Sequence, residues 1–295
     1  MRNVSYAIVT PARNEAAHLQ KTINAVISQS VQPRKWIIVD DGSSDNTGRM
    51  IDEAARQHCW IQGVHRPDRG YRKAGSGLVE TFYDGYGLIH EQAWHFLANL
   101  DGDISFGPSY FEECLKRFDS DPKLGIGGGT VCIVVKGVLR EESKGDPSFH
   151  VRGAAKIYRR ACWDAIGGLV RAPGWDTVDE LRANMLGWRT YTFPEIELVH
   201  HRPTGNAYGA WRNWFKNGRA SYLTGYHPLF MFVKCLKRLR SRPYCIASAG
   251  LLAGFLSAYL ARLPRSSDPD LIRYVRKQQM RRLMLRESLW SRPAS

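Results

Sequence analysis

The sequence predicts an α/β protein with a mostly parallel sheet flanked by helices and a helical, basic extension at its C-terminal end. Three observations carry that expectation. Short β-rich runs alternate with amphipathic helical stretches through the first hundred residues, the pattern of βαβ units. Two apolar runs end on acidic residues, at the strand ends where open α/β sheets bind ligands. Composition then breaks near Tyr226: Lys and Arg stand against Asp and Glu as 28 to 25 over residues 1–225, and as 14 to 3 over residues 226–295.

Taken in order, residues 4–10 predict a first strand. Pro11 breaks it, Asn14 can cap the next helix, and Leu19, Ile23, Val26 and Ile27 recur at helical spacing. Residues 35–40 (KWIIVD) predict a second, buried strand. The loop Asp41-Gly42-Ser43-Ser44 leads from it into a helix over residues 45–57, with Met50, Ile51, Ala54 and Ala55 on one face. Residues 95–100 supply another strand, ending in Asp101-Gly102-Asp103. A glycine run at 127–129 opens a β-rich stretch to 135, and residues 149–158 and 189–199 read as later strands. The expected division is a catalytic body over 1–225 and a tail over 226–295.

A chain of 295 residues, 43% hydrophobic and 24% charged, fills a real core and is not a disordered segment. Six cysteines without a C-x-x-C pair disfavour a zinc ribbon and read as reduced, mostly buried thiols. The apolar run ahead of Arg13 and Glu15 is too short for a secretory signal, so the body is expected in the cytoplasm. The net charge of +14 sits mainly in the last quarter without a recognition fold or stacking motif, so no nucleic-acid partner is expected.

Asp101 and Asp103 are held on a tight turn after an apolar strand. Hard oxygen ligands in that setting suit Mg2+ or Mn2+ carrying a diphosphate. Asp176, Asp179 and Glu180 form a second acidic group at a loop-to-helix junction, where a carboxylate can take a proton from a bound hydroxyl. Complementing the helix dipole is the plainer reading for Glu180.

The segments TPARNEAAHLQKTINAVISQS (10–30), WIIVDDGSSDNT (36–47), LDGD (100–103) and GGLVRAPGWDTVDELRANMLGWRT (167–190) together resemble the family 2 glycosyltransferases of GT-A fold, over residues 5–201. The resemblance implies a Rossmann-like sheet and inverting transfer from a nucleotide sugar. It implies nucleotide contacts from Pro11, Ala12, Glu15 and Asp41, with Arg13 and Asp40 close by, and a divalent ion, Mg2+ or Mn2+, on Asp101 and Asp103 across Gly102. Asp176, followed by Leu181, Arg182 and Gly187, matches the acceptor-site base, and Asp179 stays in contention. Two positions depart from the family. Arg13 replaces a frequent aromatic, so a cation over the base or a phosphate contact is expected there. Trp175 replaces the glutamate before the catalytic aspartate.

GT-A enzymes often place a histidine at the end of the last strand against the metal or diphosphate. His200 is preferred to His201 for that role, with surface histidine as the plainer reading. The basic, glycine-rich stretch 66–77, which includes Lys73, lacks the Walker pattern and reads as a loop facing the diphosphate. The implied function is transfer from a UDP- or GDP-sugar to a glycan or lipid-linked acceptor in cell-surface or extracellular polysaccharide synthesis. Two alternatives are a sugar nucleotidyltransferase, for which no G-x-G-T-R-type loop follows the first strand, and a non-catalytic, membrane-tethered glycan-binding scaffold. Trp211, Trp214, Phe215 and Tyr222 can line an acceptor groove, meet lipid or pack in a core.

Residues 244–261 form an uncharged run of 18 flanked by Lys and Arg on both sides. That favours a helix lying on an anionic membrane surface, at the cytoplasmic face of the inner membrane, over one that crosses it. A helix packed on the body is the other reading.

Overall fold

The alternation of strand and helix builds one half of a sheet. β1 (Tyr6–Ala12), α1 (Leu19–Ile27), β2 (Lys35–Asp40), α2 (Thr47–Gln57), β3 (Ile61–His65), α3 (Ser76–Tyr86) and β4 (Phe96–Leu100) follow one another. β1 pairs in parallel with β2 and with β4, and β3 adds outside β2. Helices cover both faces, so Ile8, Val9, Ile37, Ile38 and Leu97 are completely buried and the strands read as continuous apolar runs. The computed structural model describes residues 4–70, 76–90, 93–142, 144–172, 174–202, 209–239, 244–263, 265 and 268–291.

The second half is mixed. β5 (Ile104–Phe106), α4 (Tyr110–Ser120), β6 (Leu124–Val135), β7 (Val138–Glu141), β8 (Ala155–Arg159), α5 (Arg160–Ile166), α6 (Trp175–Met185) and β9 (Arg189–His200) complete it. The strand order is β3-β2-β1-β4-β8-β6-β9-β5, with β7 paired to β6. β8 runs antiparallel to both β4 and β6, β9 is parallel to β6, and β5 is antiparallel to β9. β5 follows β4 after only Asp101, Gly102 and Asp103, yet it stands beyond β8, β6 and β9 in the ladder. The sheet therefore curls back around that acidic turn.

The strand expected over 149–158 is shorter than the apolar pattern suggests. Only Ala155–Arg159 pairs, because the preceding residues turn inward: the Val151 amide donates to Glu180 at 2.7 Å, and a Cβ on Gly153 would lie 3.1 Å from the Trp175 ring. β3, β5 and β7 escaped the sequence reading. They are three to five residues long, and β3 carries Gly63 in its middle.

The remaining chain is helical: α7 (Gly209–Leu223), α8 (Pro228–Arg238), α9 (Ile246–Leu260) and α10 (Pro269–Leu283), closed by a 3-10 turn at Leu289–Ser291. The uncharged run is α9, and it packs along α7 through glycines. A Cβ on Gly250 would lie 2.9 Å from Trp214 Cβ, one on Gly254 would overlap the Phe215 carbonyl, and one on Gly218 would overlap that of Leu251. Tyr222, Tyr226, Phe255, Leu271 and Leu289 share a core with Phe149, Val178 and Leu181. Residues on both sides of 225 thus pack together, with α6 beneath the tail helices. Among the described residues, no helix is long and apolar enough to cross a membrane.

Candidate active site

Asp101 and Asp103 sit where the sheet curls. The Asp101 amide donates to Ala154 O at 2.8 Å, and Asp103 is buried. The β5–β9 register sets Ile104 opposite His200, which delivers the histidine to Asp103. His200 Nε2 lies 3.3 Å from Asp103 Oδ1, and Nδ1 lies 3.0 Å from Glu142 Oε2. One ligand atom each from Asp101, Asp103 and His200 falls within 4.8 Å of the others. His201, the next residue, turns to Ser105 at 2.8 Å and stacks on His18 with ring centroids 5.7 Å apart. Alternation along a strand separates the two histidines.

Burial, and then the neighbouring Asp103, push Asp101 up to about 7. For Asp103 burial also pushes upward, but the hydrogen bond and charge of His200, with Arg202, outweigh it and hold the carboxyl below its ordinary value. Burial opposes the charge on His200, yet the hydrogen bonds to Asp103 and Glu142 raise it to about 10. Arg202 bridges Glu15 and Asp103, 3.1 Å from the latter. Two carboxylates and an imidazole at this spacing form a donor set that fits a Mn2+ or Mg2+ ion. Glu142 on Nδ1 fixes the ring so that Nε2 faces the carboxylates.

The residues expected at the nucleotide converge on the ends of β1 and β2. The Asp41 amide donates to Ala12 O at 2.8 Å, and a Cβ on Gly102 would lie 3.5 Å from Glu15 Cγ and 3.7 Å from Ala12 Cβ. Pro11 is partly exposed near the end of β1. Arg13 lies beside them, donating to the Asp41 carbonyl and to Asp68 at 2.6 Å. The Asp41 carboxylate meets Arg66 at 2.8 Å and also Arg69. Gly42, at φ +71°, allows that basic loop to close over the turn: a Cβ there would sit 2.5 Å from Asp68 Cα. Asp40 is not part of this group. Its carboxylate accepts from the Ser43 amide at 2.8 Å and faces His65 at 3.3 Å, on the α2 side. Lys73 lies outside the described residues.

Asp176 and Asp179, one helical turn apart on α6, have different surroundings. Asp179 is buried, accepting from Tyr158 Oη at 2.6 Å and from Lys156 Nζ at 3.2 Å. Burial pushes it up to about 6 against the pull of Lys156. Glu180 is also buried, paired with Lys156 at 2.8 Å and His150 at 2.9 Å. Asp176 is partly exposed, and its carboxylate has no hydrogen bond to another described residue. It still lies close to the acidic turn: a Cβ on Gly153 would sit 3.6 Å from Asp176 Cβ, and the next residue, Ala154, holds the Asp101 amide. Lys156, Glu142 and Arg202 were missed by the sequence reading. A lone cation inside the apolar strand AKIYR was the available signal for Lys156.

A curled α/β sheet with an acidic, histidine-completed cluster at its strand ends is the GT-A architecture. A mannosyltransferase from Pyrobaculum calidifontis, solved in complex with GDP-Man and Mn2+, shares that fold with a TM-score of 0.53 and 18% identity over 90% of this chain and 76% of the other. Residues 7–170 match glycosyl transferase family 2, more than half of the chain, and the protein belongs to that family. It is 29% identical over 118 residues to a chondroitin synthase of Pasteurella multocida, covering 40% of this chain and 11% of that protein. It is likewise 29% identical over 132 residues to a polyprenol monophosphomannose synthase of Mycolicibacterium smegmatis, covering 42% and 46%. The match thus spans less than half the length of either curated relative.

Proposed function

We propose that this chain is a divalent-metal-dependent, inverting glycosyltransferase that moves a sugar from a nucleoside-diphosphate donor to a hydroxyl of a glycan or lipid-linked acceptor. The observation that carries the reading is the Gly153–Ala154 turn, which sets Asp176 and Asp101 on either side of one short segment. A proton acceptor and a metal-type cluster are thereby neighbours.

In this mechanism Asp176 takes the proton from the acceptor hydroxyl as its oxygen bonds to the anomeric carbon. The bond from that carbon to the diphosphate oxygen breaks on the opposite face, and its electron pair leaves with the nucleoside diphosphate. Asp101, Asp103 and His200 would hold Mn2+ or Mg2+, which supplies charge neutralisation for the leaving group. The imidazole in the set favours Mn2+. Asp179 and Glu180 are consumed by Lys156 and His150, which leaves Asp176 as the base. Glu15, Arg13 and Gly102 border the donor.

The Asp41 carboxylate with Arg66 and Arg69 presents an acceptor flanked by donors. That pattern complements an N–H beside a carbonyl, as in uracil and guanine, and mismatches cytosine. Thymine presents the same edge as uracil, so the pattern argues against a CMP-sugar, and a UDP- or GDP-sugar is the donor proposed in keeping with the GDP-Man of the Pyrobaculum enzyme. The curated relatives, by name a polysaccharide synthase and a polyprenol monophosphomannose synthase, support both acceptor classes. The charge of the C-terminal quarter supports work at an anionic membrane surface, at the cytoplasmic face.

Thermal melting with UDP, GDP, dTDP and CMP, each with and without Mn2+, tests the reading. A Mn2+-dependent rise with UDP or GDP, absent with CMP and lost in Asp101→Asn/Asp103→Asn, is expected. Folded protein that shifts with none of the four overturns it.

A further inference from the structure

The uncharged run, read either as a helix on a membrane surface or as one packed on the body, is α9, whose glycines lie against α7 while Leu256, Tyr259 and Leu260 stay exposed. A second helix of the tail is uncovered too. α8 is apolar on two faces: Phe230, Met231 and Cys235 point into the third core, while Leu229, Phe232, Leu236 and Leu239 recur at spacings of three and four along the outer side. The outer four are each between 43% and 50% exposed. The inner face satisfies the core, so the second, exposed apolar stripe on the outer side asks for a cover of its own. Ser248 Oγ donates to Cys235 O at 2.6 Å, which sets the start of α9 against the second half of α8, and Tyr244 and Ile246 at that start are exposed as well.

We infer that the outer face of α8, with Tyr244 and Ile246 at the start of α9, is a membrane-docking surface that inserts into the headgroup region of an anionic bilayer. Charge selects the occupant. The stretch 226–295 holds 14 Lys and Arg against 3 Asp and Glu, with Lys237 exposed on the stripe's flank. Anionic lipid complements that excess. A second copy of the chain would set two such regions against each other, and a cationic or neutral partner gains nothing from it.

This inference deepens the proposed function by naming the surface that meets the membrane. A Cβ on Gly174 would lie 3.3 Å from Ala220 Cβ and 3.5 Å from Thr224 Oγ1, so α7 packs directly on the residue two positions before Asp176. The helical layer that carries α8 is therefore joined to the acceptor side of the cleft. A bilayer-borne acceptor, with a lipid-linked hydroxyl to offer, is the class this arrangement serves.

The test is co-sedimentation with phosphatidylcholine vesicles, with and without about one-third phosphatidylglycerol, at low and high salt. Wild type is compared with Leu229→Ser/Phe232→Ser/Leu236→Ser, and melting midpoint and sedimentation velocity are recorded for both. Wild type is expected to pellet only with anionic vesicles and to be released by salt, and the triple variant to bind at least about tenfold more weakly with an unchanged melting midpoint. Wild type that stays in solution, a folded variant that binds as well as wild type, or binding indifferent to the anionic lipid each overturns the inference. So does a wild-type dimer that the variant dissociates with no vesicle binding, which would make the face a self-interface. The nucleotide-dependent melting shift stands or falls independently of all of these, so failure here and failure of the glycosyltransferase reading are distinguishable.

Discussion

The ammonium of Lys156 donates to the main-chain carbonyl of Asp176 at 2.6 Å. A completely buried lysine on β8 thus pins the first turn of α6, and the same Nζ also engages Asp179 and Glu180. Burial alone would lower its pKa, but those two carboxylates raise it, so the group is a fixed cation in the floor of the site. Removing it as Lys156→Met leaves two acidic groups short of their partner. The expected cost is about 3–5 kcal/mol of stability. A urea midpoint equal to wild type would show that the network is not held by this charge.

Asp176→Asn is expected to reduce turnover by roughly 10²- to 10⁴-fold while leaving the nucleotide-dependent melting shift in place. Asp179→Asn should do the reverse in kind, lowering the melting midpoint because it weakens the buried pair with Lys156. Transfer assays and melting curves on the two variants separate the roles. Near wild-type transfer by Asp176→Asn would remove it as the base.

Glu142 meets the metal-type cluster at His200 Nδ1 and also accepts from Arg152 at 3.3 Å. Glu142→Gln should weaken Mn2+ affinity by about 10- to 100-fold, measured by calorimetric titration in the presence of UDP or GDP. An unchanged affinity would mean that the His200 ring is oriented by other contacts.

His150 faces the buried Glu180. Burial pushes its pKa down, but the Glu180 charge and hydrogen bond prevail and raise it above 6.5. A group raised in the folded state contributes fully below its unfolded value, and the contribution disappears as pH climbs through the folded one. The stability difference between wild type and His150→Gln should therefore be greatest below about pH 6.5 and shrink on the alkaline side. Denaturation midpoints across that range check it, and a difference that grows with pH would reverse the assignment.

Gly254→Val would drive a side chain into the Phe215 carbonyl and spread α7 from α9. A loss of about 1–3 kcal/mol is expected, with the nucleotide-dependent shift retained in whatever fraction stays folded. A neutral effect would mean that the two helices slide apart without cost.

The features legible in the sequence were local. The run WIIVDD and the turn LDGD each place strand, loop and acidic residue in a few consecutive positions, and the structure keeps them together. The spacing to Arg182 and Gly187 favoured Asp176 but left Asp179 in contention, since residues three apart on a helix share a face; the burial of Asp179 under Lys156 and Tyr158 separates their surroundings. Asp40 and Asp41 looked alike as neighbours, but at a strand end one turns to His65 and the other to Arg66. Lys156, Glu142 and Arg202 owe their positions to partners 23, 58 and 187 residues away, and no window of sequence contains such pairs. The uncharged run was visible as apolar, while its glycine seam against α7 became meaningful only once Gly218 lay across from it.

The curl of the sheet also has a bearing on biosynthesis. Asp101 and Asp103 emerge with β4, but His200 is made almost a hundred residues later and comes alongside them only when β9 has seated between β6 and β5. A nascent chain halted before that strand carries two clustered carboxylates and no third ligand. The three-residue cluster is therefore completed late, only once the last long strand of the sheet has paired.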